Sequence, residues 1–308
     1  MNTQSNAMPE SSIQSPRTTP PAVLAARAMY WSIRREIWEN RSIYIAPLAA
    51  AAVFLFGFFI SMLSMRRHLG ASPLDPAQPH DLLATHYELS GLLIMGTAFI
   101  VGVFYSLDAL YGERRDRSIL FWKSLPVSDL ITVLSKLTIP MLILPLLSFV
   151  ISLATQFIML VLSSVILAGS GVNIGAMWTE VSFFHVSVVL LYHLLTVHGL
   201  WYAPIYGWLL MVSAWAPRAP FIWAFLPPFV VAVVEKVALN TSHFLELLEE
   251  RLIGPQGDGM ASHNAPNDFM ASLIPHHFFG APGLWTGLAL AAVFLFVAVR
   301  LRRYQGPI

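Results

Sequence analysis

The sequence predicts an all-α integral membrane protein with six transmembrane helices and with both its N and C termini in the cytoplasm. Three observations lead to this fold class. Hydrophobic residues make up 56% of the 308 residues and charged residues only 11%, whereas about 25% of a typical soluble domain is charged. The apolar residues are concentrated in long runs with few or no charges. The Lys and Arg residues lie mostly on one side of the topology that these runs define.

The long apolar runs predict six spans. The first run has 23 residues without a charge, and at about 1.5 Å per residue it can cross the roughly 30 Å hydrocarbon core of a bilayer. The six spans cover residues 43–65, 89–110, 137–168, 181–216, 219–239 and 284–300. Pro140 and Pro145 predict a kink near the start of the third span. The fourth span is too long for one straight helix, and we expect one long helix that is broken or bent near Pro204 and Gly207.

The N-terminal part of the chain precedes the first span. Residues 1–21 are rich in Ser, Thr, Pro, Asn and Gln, which predicts a disordered cytoplasmic tail; residues 22–308 form a single transmembrane domain. Between the tail and the first span we predict an interfacial helix with arginines and tryptophans on one flank: Arg27, Trp31, Arg34, Trp38 and Arg41. Tryptophan and arginine together suit the headgroup layer of a membrane.

The distribution of basic residues sets the orientation. The segments assigned to the cytoplasm contain 14 of the 18 Lys and Arg residues, and the opposite loops contain 4. Because basic residues concentrate in the cytoplasmic loops of membrane proteins, both termini are predicted to be inside. Residues 240–283 then form an outer loop, with a candidate amphipathic helix at residues 242–253.

Between the second and third spans lies a charged island, residues 111–129, in which seven of nineteen residues are Asp, Glu, Lys or Arg. A charge cluster is followed by the apolar run 119–122, and Leu125-Pro126 ends it. This pattern predicts a short amphipathic helix at the membrane surface, with its charges available to a partner. Ser128 and Asp129 predict the start of the next helix.

The sequence lacks the usual motifs for nucleotide hydrolysis. The three lysines follow Trp122, Ser135 and Glu235, so there is no G-x-x-x-x-G-K-[ST] motif. Cysteine is absent, which excludes disulfides and thiolate metal sites. A membrane-embedded enzyme would need a cluster of polar residues, whereas the spans contain only scattered histidines and Glu235. We therefore expect no enzyme activity, no catalytic residue and no cofactor or metal in this chain.

Five residues in the spans are candidates for a translocation path: Asp108, His193, Pro227, Pro228 and Glu235. Ionisable groups within a membrane often mark pathways, and prolines leave carbonyls that need polar partners. Other roles stay open. Asp108 could pair with Arg114 or Arg115, and His193 could be satisfied by neighbouring polar side chains. Glu235 could form an ordinary pair with Lys236 at the water boundary.

The island carries a resemblance. The stretch from Glu113 to Asp129, ERRDRSILFWKSLPVSD, resembles the coupling segment of ABC-2 type transporter permeases, which lies between the second and third of six spans. Residues 200–215 and 224–228 resemble one proteobacterial branch of that family. The resemblance covers nearly the whole chain apart from the first 20 residues.

The resemblance implies a transmembrane permease subunit of an ABC-type exporter in the bacterial inner membrane. Such a subunit pairs with a second permease copy or paralogue and with two ATPase subunits, which hold ATP and Mg²⁺, and exports a substrate. Apolar helices with few charges favour an amphiphilic substrate such as a peptide antibiotic, a drug or a lipid. No nucleic acid partner is implied. The expected ATPase contacts are Glu113, Arg114, Arg115, Ile119, Leu120, Phe121, Trp122, Leu125 and Pro126. The alternative function is a non-transporting membrane anchor or sensor that works with an ATPase.

Overall fold

A computed structural model describes residues 21–69, 78–125, 127–168, 191–192, 194–253 and 278–308, together with positions 175 and 187–188. These residues are almost entirely helical, with no strand among them. Five helices are long and apolar enough to cross a membrane: Ser42–Arg67, Leu89–Arg115, Asp129–Leu167, Pro220–Leu239 and Pro282–Tyr304. The chain is therefore a helical, multi-pass membrane protein.

The first half of the chain contains α1 (Pro21–Glu39), α2 (Ser42–Leu69), α3 (Gln78–Ala109), α4 (Tyr111–Arg115), α5 (Ile119–Ser124), α6 (Asp129–Thr138) and α7 (Leu144–Leu167). A first π-helical segment, Ile139–Ile143, joins α6 to α7. The second half contains a second π-helical segment (Leu194–Trp201), α8 (Ala203–Trp215), α9 (Pro220–Leu239), α10 (His243–Ile253), a 3-10 turn (Phe278–Gly280) and α11 (Pro282–Tyr304).

Five of the six predicted spans coincide with the long helices. The third span begins earlier than predicted, at Asp129, because the Ser128 hydroxyl accepts a hydrogen bond from the Ile131 amide and caps the helix. Its predicted kink coincides with the first π-helical segment, which contains Pro140. A proline has no amide hydrogen to give to the preceding turn, which accounts for the irregular hydrogen bonding there.

The fourth predicted span is not one long helix in its described part. The second π-helical segment ends at Trp201, Tyr202 forms a turn, and α8 has only 13 residues. Pro204 lies in the first turn of α8, where its fixed φ is favourable. The predicted bend is therefore a break two residues earlier. Most of residues 169–193 lie outside the described residues, so the count of six spans stays a prediction.

The other segments outside the spans also differ in detail from the predictions. Pro21 begins α1, and the rest of the predicted tail lies outside the described residues. The island does not form the single helix that we predicted: α4 and α5 are separated by a turn in which Arg117 has a φ of 58°, and helices do not pass through this left-handed conformation. α10 confirms the helix predicted at residues 242–253, starting at His243, and its outer position stays a prediction.

The bundle is centred on α8, which packs along α11 and also against α3. A Cβ on Gly207 would lie 3.3 Å from the Ala291 carbonyl oxygen, so a small residue is needed for this close approach. α2 packs against α3 and α7, and α1 packs against α6. By contrast, α9 lies on the outside of the bundle, and only 6% of the residues in its most apolar stretch are buried. Its exposed apolar side chains suit contact with lipid.

Candidate functional site

A buried network of ion pairs joins the island to three other helices. The Glu113 carboxylate on α4 lies 2.9 Å from Arg302 on α11, 3.2 Å from Lys136 on α6 and 3.4 Å from Arg35 on α1. Lys136 also lies 2.8 Å from the Glu36 carboxylate on α1. Glu36 and Lys136 are each 2% exposed, and Glu113 is 8% exposed. Charges this far from water persist only when they are paired.

Apart from the exposed Glu39, which also lies 3.4 Å from Arg35, the charges of this network balance. Arg302 donates to Asp129 at the start of α6 as well as to Glu113, so three carboxylates face three cations. The Tyr105 hydroxyl on α3 donates a further hydrogen bond to Glu36, at 2.9 Å. We call this set the ion-pair network: Arg35, Glu36, Tyr105, Glu113, Asp129, Lys136 and Arg302. It ties α1, α3, α4, α6 and α11 together at one end of the bundle, which we call the island end.

Glu36 shows the balance between burial and pairing. Burial disfavours its charged form, but Lys136 and Arg35 outweigh that effect and hold the pKa of Glu36 below its ordinary value. For Arg35, burial acts against the charge, whereas Glu36 and Glu39 raise its pKa above the ordinary value. Both groups are therefore charged at neutral pH.

A second set of contacts joins the island to the ends of α8 and α11. Arg114 donates to the carbonyl oxygens of Ala214 and Ala216 at 2.6 and 3.2 Å. Lys123 donates to the carbonyl oxygens of Arg303 and Gln305 at 3.3 and 2.9 Å. The last carbonyls of a helix lack intrahelical partners and attract cations. The island therefore caps two neighbouring helices.

The start of α4 is capped in return by α8. The Ser213 hydroxyl oxygen, which is fully buried, accepts from the amides of Leu110 and Tyr111 at 3.0 and 2.9 Å. These two amides lie where α3 passes into α4, so they have no complete set of helical partners. Together with the two cationic caps, this bond holds the island rigidly on the bundle.

The apolar run of the island is divided between two faces of α5. Ile119 is 2% exposed and anchors α5 on the bundle. Trp122 packs under Arg35, whose guanidinium carbon lies 3.7 Å from the ring centroid. Leu120 and Phe121 are each 59% exposed and point away from the bundle, and Leu125 is 36% exposed.

The three charges predicted to meet a partner have different environments. Glu113 and Arg114 are buried and bonded within the chain, as described above, so in this structure they hold the island rather than offer a surface. Arg115 is exposed, 3.0 Å from Asp116 and 3.5 Å from Asp108, which is one of the two pairings left open for Asp108. Pro126 lies outside the described residues, but α5 ends at Ser124, where Leu125-Pro126 predicted a stop.

Pro227 and Pro228, the two prolines predicted to line a translocation path, lie within α9 and are half-buried. Pro228 has no amide hydrogen to donate to the Ala224 carbonyl four residues earlier. The Trp208 indole on α8 donates to that carbonyl at 3.0 Å, so the group is satisfied inside the protein. This bond attaches the otherwise exposed α9 to the bundle.

The candidate path residues are not brought together in the described part of the chain. The Glu235 carboxylate accepts from the amides of His243 and Phe244, each at 2.8 Å, and from the Thr241 hydroxyl at 2.9 Å. It therefore caps the start of α10, a role that the sequence analysis did not consider. Asp108 lies at the island end, and Glu235 lies near the other end of α9. His193 lies outside the described residues.

Most of the ion-pair network was not predicted from the sequence. Lys136 and Arg302 were counted only among the basic residues of the predicted inner side, and no role was predicted for Glu36. A signal was present, because each is an ionisable residue at the edge of an apolar stretch, where an unpaired charge is costly.

Comparison of the chain with known family models, with curated proteins and with solved structures finds no match.

Proposed function

We propose that this chain is the permease subunit of an ABC-2 type exporter in the bacterial inner membrane, driven by separate ATPase subunits that contact α5. The observation that carries the proposal is the pairing of an exposed apolar tip with a buried electrostatic frame. Leu120 and Phe121 project from α5, while α4 and α5 are fastened to the bundle by buried ion pairs and helix caps.

An exposed apolar tip at the cytoplasmic end calls for a partner. In the proposed orientation Leu120, Phe121 and Leu125 point towards the cytoplasm rather than into lipid. A cavity of about 160 Å³ opens beside them between α1, α5 and α6, lined in part by Trp31 and Trp122. The exposed apolar side chains of α5, beside a cavity lined by two tryptophans, have the composition of a protein contact.

The frame gives a route for the ATPase motion. When the ATPase displaces α5, α4 moves with it. The ion pairs of Glu113 transmit this displacement to α1, α6 and α11, and the hydrogen bonds of Arg114 transmit it to α8. Ion pairs and hydrogen bonds in a low-dielectric interior are strong and directional, so the ends of these helices move as one unit.

The middle of the bundle is less regular. The two π-helical segments lie against each other, and a Cβ on Gly199 would lie 3.5 Å from the Met141 carbonyl oxygen. π-helical turns within helices are frequent at functional sites. In the proposed mechanism the third span changes conformation here, between the braced island end and the opposite end.

The proposed cargo is amphiphilic. A groove of about 490 Å³ between α9 and α10 is lined only by apolar side chains, among them Phe225, Phe229, Leu245 and Leu248. Such a wall suits the apolar part of a peptide antibiotic, a drug or a lipid, and it offers no ligand for an ion.

The proposal predicts that an ABC ATPase is encoded beside this chain, and the test uses vesicles that contain the full chain reconstituted with that ATPase. We expect Leu120→Asp with Phe121→Asp to weaken ATPase binding at least tenfold, because charges replace two central apolar contacts. Leu24→Asp, which changes a 55% exposed leucine at the start of α1, is the matched control and should bind normally. Normal binding by the double variant would reject α5 as the contact.

The same vesicles separate export from the alternative function. An exporter moves a labelled amphiphile across the bilayer in an ATP-dependent way, and the α5 double variant abolishes this movement. If the ATPase binds through α5 and responds to the chain, but no amphiphile is moved, the contact stands and the chain is a membrane anchor or sensor.

A further inference from the structure

Arginine and tryptophan alternate along one face of α1. The five residues Arg27, Trp31, Arg34, Trp38 and Arg41 are spaced by four, three, four and three positions, which places them on one side of a helix with 3.6 residues per turn. The first four lie on α1, and Arg41 lies two residues beyond its last residue, Glu39, in the turn before α2. We call this set the Arg-Trp ladder.

The ladder is already ordered in the structure. The Arg34 guanidinium carbon lies 5.1 Å from the ring centroid of Trp31 and 4.8 Å from that of Trp38, so this cation is held between two aromatic rings. Trp31 and Trp38 are 58% and 68% exposed. A stacked guanidinium keeps the N–H groups in its plane free to donate.

Apart from Trp31, which also lines the cavity between α1, α5 and α6, the ladder faces away from the rest of the bundle. Glu36 follows Arg34 by two positions, and at about 100° per residue the two side chains project from nearly opposite sides of α1. Glu36 is buried in the ion-pair network. In the part of the chain that the structure describes, no carboxylate pairs with Arg27, Arg34 or Arg41; the neighbouring Glu39 pairs with Arg35 instead.

The position of the ladder next to a membrane span indicates that its ligand is a component of the membrane. α2, a candidate span, starts at Ser42, directly after Arg41, so the C-terminal end of α1 lies at the edge of the hydrocarbon core. Tryptophan rings prefer this interfacial layer. Phosphate groups lie at the same depth, and a guanidinium matches a phosphate with two parallel hydrogen bonds.

We propose that the Arg-Trp ladder is a binding site for the phosphate groups of acidic phospholipids in the leaflet at the island end. The bound lipids hold the outer face of α1, while its inner face carries Arg35 and Glu36 of the ion-pair network. The site does not depend on the proposed ATPase partner.

The test measures lipid binding by the full chain in detergent micelles, counted by native mass spectrometry. Phosphatidylglycerol and phosphatidylcholine with the same acyl chains are titrated separately. We expect the wild-type chain to prefer phosphatidylglycerol. Since each arginine near an anionic surface contributes about 1 kcal/mol, Arg34→Gln should weaken phosphatidylglycerol binding about fivefold, and the triple change Arg27→Gln, Arg34→Gln and Arg41→Gln should abolish the preference.

The matched control removes the same number of exposed arginines elsewhere at the island end: Arg117→Gln, Arg300→Gln and Arg303→Gln. This control should keep the preference for phosphatidylglycerol. Equal binding of both lipids by the wild type, equal loss in both triple variants, or displacement of the lipid by millimolar inorganic phosphate would overturn the proposal. So would a ladder variant that keeps its lipid preference but no longer binds the ATPase, because the ladder would then be a protein contact.

Discussion

The two ends of the bundle are both stabilised by charged side chains, but those charges have different partners. At the island end Glu113, Lys136 and Arg302 pair with one another across helices and are almost completely buried. At the opposite end Glu235 and Arg251 are more accessible and bond mainly to the backbone. The first arrangement ties helices to each other, whereas the second closes the ends of single helices.

The opposite end is organised around α10. Arg251 lies 4.2 Å over the Trp201 ring and donates to the carbonyl oxygens of Trp201 and Gly283. Tyr202 donates from its hydroxyl to the Leu252 carbonyl at 2.9 Å. Burial lowers the pKa of Arg251, with Glu250 acting in the opposite direction. If Arg251 loses its charged group, only backbone carbonyl groups lose a partner. This is less costly than leaving a buried carboxylate unpaired, as at the island end.

The largest expected effect tests the island end. Lys136→Met leaves Glu36 and Glu113 short of one buried cation, and removal of one partner from a buried ion pair typically costs about 3–5 kcal/mol. Thermal unfolding of the purified chain in detergent measures the loss. Lys236→Met, at an exposed position of α9, is the matched control and should change the midpoint little.

A double substitution sharpens this prediction. Glu36→Gln added to Lys136→Met removes a negative charge together with the positive one, so it should recover part of the lost stability. If the single Lys136→Met variant unfolds like the wild type, the network is not the frame that we describe.

An intermediate effect is expected at the opposite end. Arg251→Met keeps the apolar stem but loses the ring contact and the hydrogen bonds to the backbone, together worth about 1–2 kcal/mol. Hydrogen exchange of the α10 amides should become roughly tenfold faster. Arg300→Met, an exposed arginine on α11, is the control. A loss as large as that of Lys136→Met would remove the contrast between the two ends.

The smallest expected effect is a change in how stability depends on pH, and it also concerns the island end. Because the folded pKa of Glu36 is lower than its unfolded value, the unfolded state binds more protons and stability falls on acidification. The contribution of Glu36 is complete above its unfolded pKa of about 4.3 and disappears as the pH falls through the lower folded value. Glu36→Gln should therefore be less stable at pH 7 but show a shallower loss below about pH 5. Parallel unfolding curves of the two proteins against pH would contradict this.

The long helices could be predicted because lipid imposes a simple rule on each residue. A backbone that crosses the hydrocarbon must satisfy its own hydrogen bonds and carry few charges, so runs such as residues 43–65 predict a span without knowledge of their neighbours. The same local logic predicted the stop after α5 and the start of α6. It did not find the left-handed turn at Arg117, which has no glycine or other strong local signal, and it placed the break at Tyr202 two residues too late, at Pro204.

By itself the sequence determined that the chain is helical, that it spans the membrane several times and that its charges collect near the ends of the apolar runs. Only the tertiary structure decided which charges meet. Glu36 and Lys136 are 100 positions apart, and Glu113 and Arg302 are 189 positions apart; their pairing depends on which helices become neighbours. Packing therefore gave Glu113 and Arg114, which the sequence predicted as contacts for a partner, bonds within the chain, and it left Leu120 and Phe121 exposed.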